Sequence, residues 1–264
     1  QKFFMIEACA LASGSNGNSY YISTGKHSFL FDVGISCRQI VQRLHKIGKD
    51  IIKIDALFIS HEHSDHIRGL EQVAKQFSIP VYITKKTFQN TKLSLDHSLL
   101  NFINADDTIV FDDITVNTFS KCHDAQDPVS FTFIHNKKKV SIITDIGVAC
   151  KNVIAGITES NIIFLEANYD PEMLSNGLYP AFLKKRIDSD HGHLSNYHAG
   201  LLILEHASGA LEYLFLSHLS ENNNDPKIAL RTFTSMVKQR KDLCRLRTIM
   251  TSRHDVSEIV RLLP

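Results

Sequence analysis

Residues 56–60 form an apolar run that breaks without a spacer into His61-Glu62-His63-Ser64-Asp65-His66, and few folds can accommodate that junction. The run has the length of a strand, and its continuous apolarity implies burial on both faces. Three imidazoles and a carboxylate follow where the chain leaves the sheet. Residues two apart at a strand end project to the same side, so His61 and His63 can reach one ion together. Asp65 and His66 come one turn later, where the chain bends into helical spacing over 67–77, and can face a second ion. Imidazole nitrogen and carboxylate oxygen suit zinc, manganese or iron(II). A polar surface loop is the competing account, and so dense a ligand set directly after a buried strand disfavours it.

The flanking pattern is that of a mixed α/β protein. Residues 5–11 and 19–23 read as strands joined by Ala12-Ser13-Gly14-Ser15-Asn16-Gly17-Asn18, where Asn16-Gly17 suits a tight hairpin turn. Residues 28–33 read as a third strand. Ser36 with Gln39 is a capping-box signature for a helix carrying Ile40, Val41, Leu44 and Ile47 on one face and ending at Gly48. Further short strands are expected at 81–84, 108–111, 114–119, 129–135, 140–144, 162–165, 213–217 and 246–250. Helices are expected at 148–159, 180–187, 196–207 and from Asp225-Pro226 onward. The order implies two mixed β-sheets covered by helices on their outer faces, an αββα sandwich forming a single domain over 1–264.

Composition narrows the setting. Lys+Arg 29 against Asp+Glu 28 gives a formal charge of +1, so any polyanion would have to be met by locally concentrated positive charge or by bound metal. Five scattered cysteines without a C-x-x-C pair fit reduced thiols. The apolar runs are too short to span a bilayer, and Gln1-Lys2-Phe3-Phe4 has no signal-peptide architecture. A cytoplasmic protein with no membrane partner is the expectation.

The H-x-H-x-D-H loop after an apolar strand resembles the signature of the metallo-β-lactamase superfamily, and other segments match in order. These are Leu30-Phe31-Asp32-Val33-Gly34, Cys122-His123-Asp124, Thr144-Asp145-Ile146-Gly147 and Leu216-Ser217-His218. The resemblance implies that His61, His63 and His123 hold one ion, that Asp65, His66 and His218 hold the other, and that Asp145 bridges both. Taken singly, His123, Asp145 and His218 could each be an ordinary loop, turn or strand-end residue. Residues 12–19, His61 to Gly69, residues 123–128, Glu166-Ala167-Asn168-Tyr169-Asp170, Gly192-His193-Leu194-Ser195-Asn196 and residues 216–220 resemble the YycJ (WalJ) group, related to RNase J and tRNase Z.

That resemblance implies a dinuclear metal-dependent phosphodiesterase, a 5′-to-3′ DNA exonuclease using a metal-bridging hydroxide. Between Asp145 and His218 there is no room for an additional inserted domain of roughly 100–150 residues. The sandwich itself, alone or as a homodimer, would have to grip the polymer. Asp65 is the expected orienter of the attacking hydroxide as well as a ligand. His193, after a glycine and before the helix N-cap Ser195, is the expected phosphate contact or general acid, with His191 as a competitor. Ser15 and Asn18, beside Ser13 and Asn16, could hold phosphate, although turn chemistry explains them equally well. Asn168 and Asp170 could support the site, and Glu166 could orient a ligand histidine.

Three basic clusters, at 137–139, 184–186 and 238–247, read first as solvated surface. Lys184-Lys185-Arg186, near His193, is the one expected to meet a DNA backbone. A small-molecule hydrolase of the same fold (thioester, lactone or cyclic phosphodiester) and an RNA-processing nuclease remain alternatives. A third, a regulatory relative without turnover, is disfavoured by the complete ligand set.

Overall fold

Numbered along the chain, β1 (Ile6–Ala12), β2 (Ser19–Ser23), β3 (Ser28–Phe31), β4 (Ala56–Phe58), β5 (Val81–Thr84) and β6 (Leu100–Ile103) join β14 (Val260–Leu262) in one sheet. The computed structural model describes residues 5–263, so the 1–4 stretch read above for targeting lies outside the described residues. The sheet order is β14-β1-β2-β3-β4-β5-β6, antiparallel up to β3 and parallel from β3 to β6. With α1 (Cys37–Lys46), α2 (Ser64–Ile67), α3 (Leu70–Phe77) and α4 (Lys85–Gln89), it makes one of two compact units. Parallel neighbours on both sides explain the continuous apolarity of β4, all three of whose residues are buried.

The helices of this unit cover one face of its sheet. Ser36 accepts from the Gln39 amide and Gln39 Oε1 from the Ser36 amide at 3.2 Å, the expected capping box. Ile40 and Leu44 of α1 and Leu70 and Val73 of α3 then bury against Leu30, Leu57 and Val81. Each such side chain contributes roughly 1.5–3 kcal/mol. The opposite face carries Phe29, Phe31 and Phe58, also fully buried, with Phe31 and Tyr82 stacked on either side of Phe58.

The β1–β2 connection differs from expectation. It is a six-residue loop closed by a side chain: Asn18 accepts from the Gly14 amide at 3.0 Å and donates to the Gly14 carbonyl at 3.1 Å. Within it the Gly17 amide donates to the Gly14 carbonyl at 2.9 Å, so the tight turn centres on Ser15 and Asn16 and not on Asn16 and Gly17.

The second unit holds β7 (Thr108–Phe111), β8 (Ile114–Ser120), β9 (Val129–His135), β10 (Lys138–Ile143), β11 (Ile162–Glu166), β12 (Tyr213–Ser217) and β13 (Arg247–Met250) in the order β13-β12-β11-β10-β9-β8-β7. Strands β10 to β13 run parallel, while β9–β10 and β7–β8 are antiparallel. The helices are α5 (Lys151–Thr158), α6 (Pro171–Asn176), α7 (Ala181–Ile187), α8 (Asn196–His206) and α9 (Pro226–Val237). Val153, Ile157, Ala199, Ile203 and Phe233 from α5, α8 and α9 pack with Ile163, Leu165, Leu214 and Leu216. Strands β6 and β14 and helices α4 and α6 were not expected. β14 has only three residues, and its alternation of buried Val260 and Leu262 around exposed Arg261 is too short to register as a period.

Candidate metal centre

The parallel strands of each unit end in the residues singled out above, the position where open α/β sheets bind ligands. In the first unit, Asp32 follows β3 and His61 follows β4. Asp32 accepts from the Ser60 amide at 2.8 Å, from Ser60 Oγ at 2.9 Å and from His66 Nδ1 at 2.7 Å. That last bond fixes the tautomer of His66 and presents its Nε2, which lies 3.4 Å from Asp65 Oδ2. Asn18 Nδ2 lies 3.2 Å from both Asp65 Oδ2 and His66 Nε2. Ser60 Oγ contacts His61 Nδ1 at 2.9 Å, and His61 Nε2 lies 3.1 Å from His63 Nδ1. Two nitrogens each about 2.0–2.1 Å from a tetrahedral zinc would sit about 3.3 Å apart, so this pair fits one ion.

The second unit carries a tighter cluster. Ligand-type atoms of Asp145, Glu166, His193 and His218 all lie within 4.8 Å of one another. Glu166 is the hub: Oε1 lies 2.8 Å from His193 Nδ1 and 2.9 Å from His218 Nδ1, and Oε2 accepts from the amides of Ile146 and Leu194. Full burial would push its carboxyl up, but the charge and hydrogen bonds of His193 and His218 outweigh this and hold it below the ordinary range. His218 Nε2 is thereby turned toward Asp145 Oδ1, 3.4 Å away. Nε2 of His123 lies 3.9 Å from the same oxygen, and its Nδ1 is 3.1 Å from the Gly192 carbonyl. Burial pushes the His123 ring down to about 4, which keeps it in the neutral form that a metal requires. His193 is the accessible member, its side chain 23% exposed against 2% for His218.

The expected substrate contacts divide. Asn18 and Asn168 are buried, and both amides are engaged with site residues, Asn168 Nδ2 donating to the His218 carbonyl at 2.8 Å. Ser15 is an exposed loop residue, and Ser13 Oγ is 2.9 Å from Tyr20 Oη. Asp170 caps α6 through the Glu172 and Met173 amides. Of the basic clusters, Lys138 and Lys139 pair with Glu212 and Glu159, and Arg240 with Asp242. The 184–186 cluster lies on α7, no residue of which is buried. Two contributors escaped the sequence reading. Asp32 stands in the sequence only as part of a motif, and Ser60 closes the apolar run, although its hydroxyl stands between Asp32 and His61.

Residues 12–132 match the family described as the metallo-beta-lactamase superfamily. The chain is 32% identical over 237 residues to exodeoxyribonuclease YycJ of Bacillus anthracis, covering 87% of this chain and 88% of that protein. It is 34% identical over 234 residues to exodeoxyribonuclease WalJ of Streptococcus pneumoniae serotype 2, covering 87% of each. Among solved structures, the metallo-beta-lactamase fold protein YhfI from Bacillus subtilis superposes with a TM-score of 0.73 at 14% identity, covering 98% of this chain and 99% of that one. Two mixed seven-stranded sheets with their helices are the elements of that αββα fold. Among the described residues, no helix is long and apolar enough to cross a membrane.

Proposed function

The chain belongs to the YycJ/WalJ group of metallo-β-lactamase-superfamily hydrolases, and from that premise we propose that it is a dinuclear metal-dependent DNA exonuclease working 5′ to 3′. The observation that carries the proposal is the Glu166 carboxylate holding two histidines of different exposure, a buried ligand-type His218 and an accessible His193. The ligand assignment follows the order of the family's motifs: His61, His63 and His123 for one ion, Asp65, His66 and His218 for the other, with Asp145 common to both. Zinc and manganese both suit this donor set.

When bound, the ions supply an activated water and neutralise charge on the phosphate oxygens. The remaining work falls to the chain. Asp65, steadied by Asn18, orients the attacking water. His193 donates a proton from Nε2 to the leaving O3′, while Glu166 holds Nδ1 and fixes the orientation of the ring. Partial exposure lets the ring recover its proton from solvent. A cytoplasmic setting is part of the proposal, supported by five free thiols among the described residues.

The test is incubation of metal-reconstituted protein with end-labelled duplex DNA, single-stranded DNA and RNA, using Mn²⁺ and Zn²⁺ in parallel and His61→Ala as control. Stepwise nucleotide loss from a 5′ end of DNA by the wild type alone is expected. Cleavage of no polymer by protein shown to hold metal would reject the proposal in favour of a small ester or cyclic phosphate.

A further inference from the structure

We infer that α7 is a landing surface for an unpaired nucleic-acid strand, with Phe182 stacking a base beside the cations Lys185 and Arg186. The inference rests on the phosphodiesterase reading above and adds to it where, and through which chemistry, the polymer is held.

The helix is unusual in what it exposes. None of its seven residues is buried, Phe182 is 75% exposed, and Leu178 just before it is fully exposed. Phe182, Lys185 and Arg186 stand at i, i+3 and i+4, so one aromatic ring and two cations share one helix face. The neighbouring Lys184 has another role, since its Nζ donates to the Ser175 carbonyl at 2.7 Å and ties α7 to the end of α6. Arg186 pairs with Asp124, the residue after His123. Of the Lys184-Lys185-Arg186 cluster, Lys185 is therefore the cation best placed to meet a phosphate.

The far end of the helix is docked on the loop that carries His193. The His193 amide donates to the Ile187 carbonyl at 2.9 Å, and Ser189 Oγ donates to the Arg186 carbonyl at 2.8 Å. A Cβ on Gly192 would stand 2.2 Å from the Arg186 carbonyl oxygen and 2.3 Å from that of Ile187, so only glycine permits this approach. The stacking face and the proton donor are thus held in a fixed relation.

A base on Phe182 with its phosphate near Lys185 suits an enzyme that must accept successive nucleotides without reading them, because every base has a π-face. A second copy of this chain fits the face poorly. A twofold interface would bring the Lys184-Lys185-Arg186 cluster against itself, whereas a polyanion complements it.

The experiment uses the full metal-loaded chain and three variants, Phe182→Ala, Phe182→Trp and Lys185→Glu. Fluorescence anisotropy with a phosphorothioate single strand reads binding, bis(p-nitrophenyl) phosphate reads basal hydrolysis, and light scattering reads mass. Phe182→Ala is expected to weaken strand binding by roughly 5- to 100-fold while basal hydrolysis holds, with Phe182→Trp restoring affinity. Lys185→Glu is expected to weaken binding and flatten its salt dependence. Unchanged affinity in Phe182→Ala, or a change confined to molecular mass, overturns the inference. Wild type that hydrolyses the small diester but binds no strand overturns this inference alone; wild type with no diesterase activity overturns the underlying function.

Discussion

Asp32, Asp145 and His218 have φ of 59°, 55° and 57°, the left-handed region that residues with a Cβ avoid. All three stand within two residues of the carboxyl end of a parallel strand, after β3, β10 and β12. Such strain costs on the order of 1–3 kcal/mol per residue and persists where surrounding bonds over-determine it. Those bonds are visible here: Asp32 holds Ser60 and His66, while His218 is held by Glu166 and Asn168. His193 offers the sharpest residue-level test. His193→Ala should lower kcat on DNA by roughly 10²- to 10⁴-fold, since O3′ is a poor leaving group without a proton. The loss on bis(p-nitrophenyl) phosphate should be far smaller, because p-nitrophenolate departs unaided. Equal losses on both substrates would reduce His193 to a positioning residue. At this scale the His61–His66 loop was legible because its residues are local and dense, while His123, Asp145 and His218 stood out only through the family resemblance. The orienting roles of Asp32 and Ser60 were not legible, because the motif around Asp32 does not say which ring it holds and an isolated hydroxyl carries no pattern.

At the scale of elements, both units use an aspartate and a glycine two residues on to turn from a strand into the site. Gly34 donates its amide to the Asn18 carbonyl, and a Cβ there would lie 1.6 Å from the Asp65 carbonyl oxygen. Gly147 likewise lies against the loop before His193, with a Cβ position 2.3 Å from the Asp190 carbonyl oxygen. Gly34→Ala must therefore push the helix start at Asp65 away from Asn18. A destabilisation of about 3 kcal/mol or more is expected, with reduced metal content, read by urea unfolding and elemental analysis. A stable, metal-replete variant would show that this approach is dispensable. Elements bounded by strong signals, such as α1 after Ser36 and α9 after Asp225-Pro226, were readable. The Asp170-Pro171 start of α6 carries the same signal as α9 and could have been found by it. β14 could not, since it exists as a strand through pairing with β1, more than 250 residues away.

For the whole molecule, the proposed ligand assignment has a thermodynamic consequence. Metal held by those residues binds only the folded chain and stabilises it by about 2.7 kcal/mol at a hundredfold excess over Kd. Calorimetry should then show one unfolding transition that rises with Mn²⁺ or Zn²⁺ and falls on chelation. Two transitions, one of them indifferent to metal, would mean that the units respond separately. The amino-acid sequence by itself determined the dense His61–His66 loop, the buried strand ahead of it and the caps of the longer helices. Each of these is set by interactions within a few residues. Tertiary structure alone decided which carboxylate orients which ring, that Asn18 braces Asp65 and His66, and that α7 stands exposed on the His193 loop. The orienting pairs Asp32–His66, Glu166–His193 and Glu166–His218 span 34, 27 and 52 positions. Bonds over such distances form only once sheet order has brought strand ends together, and no local period or cap encodes that order.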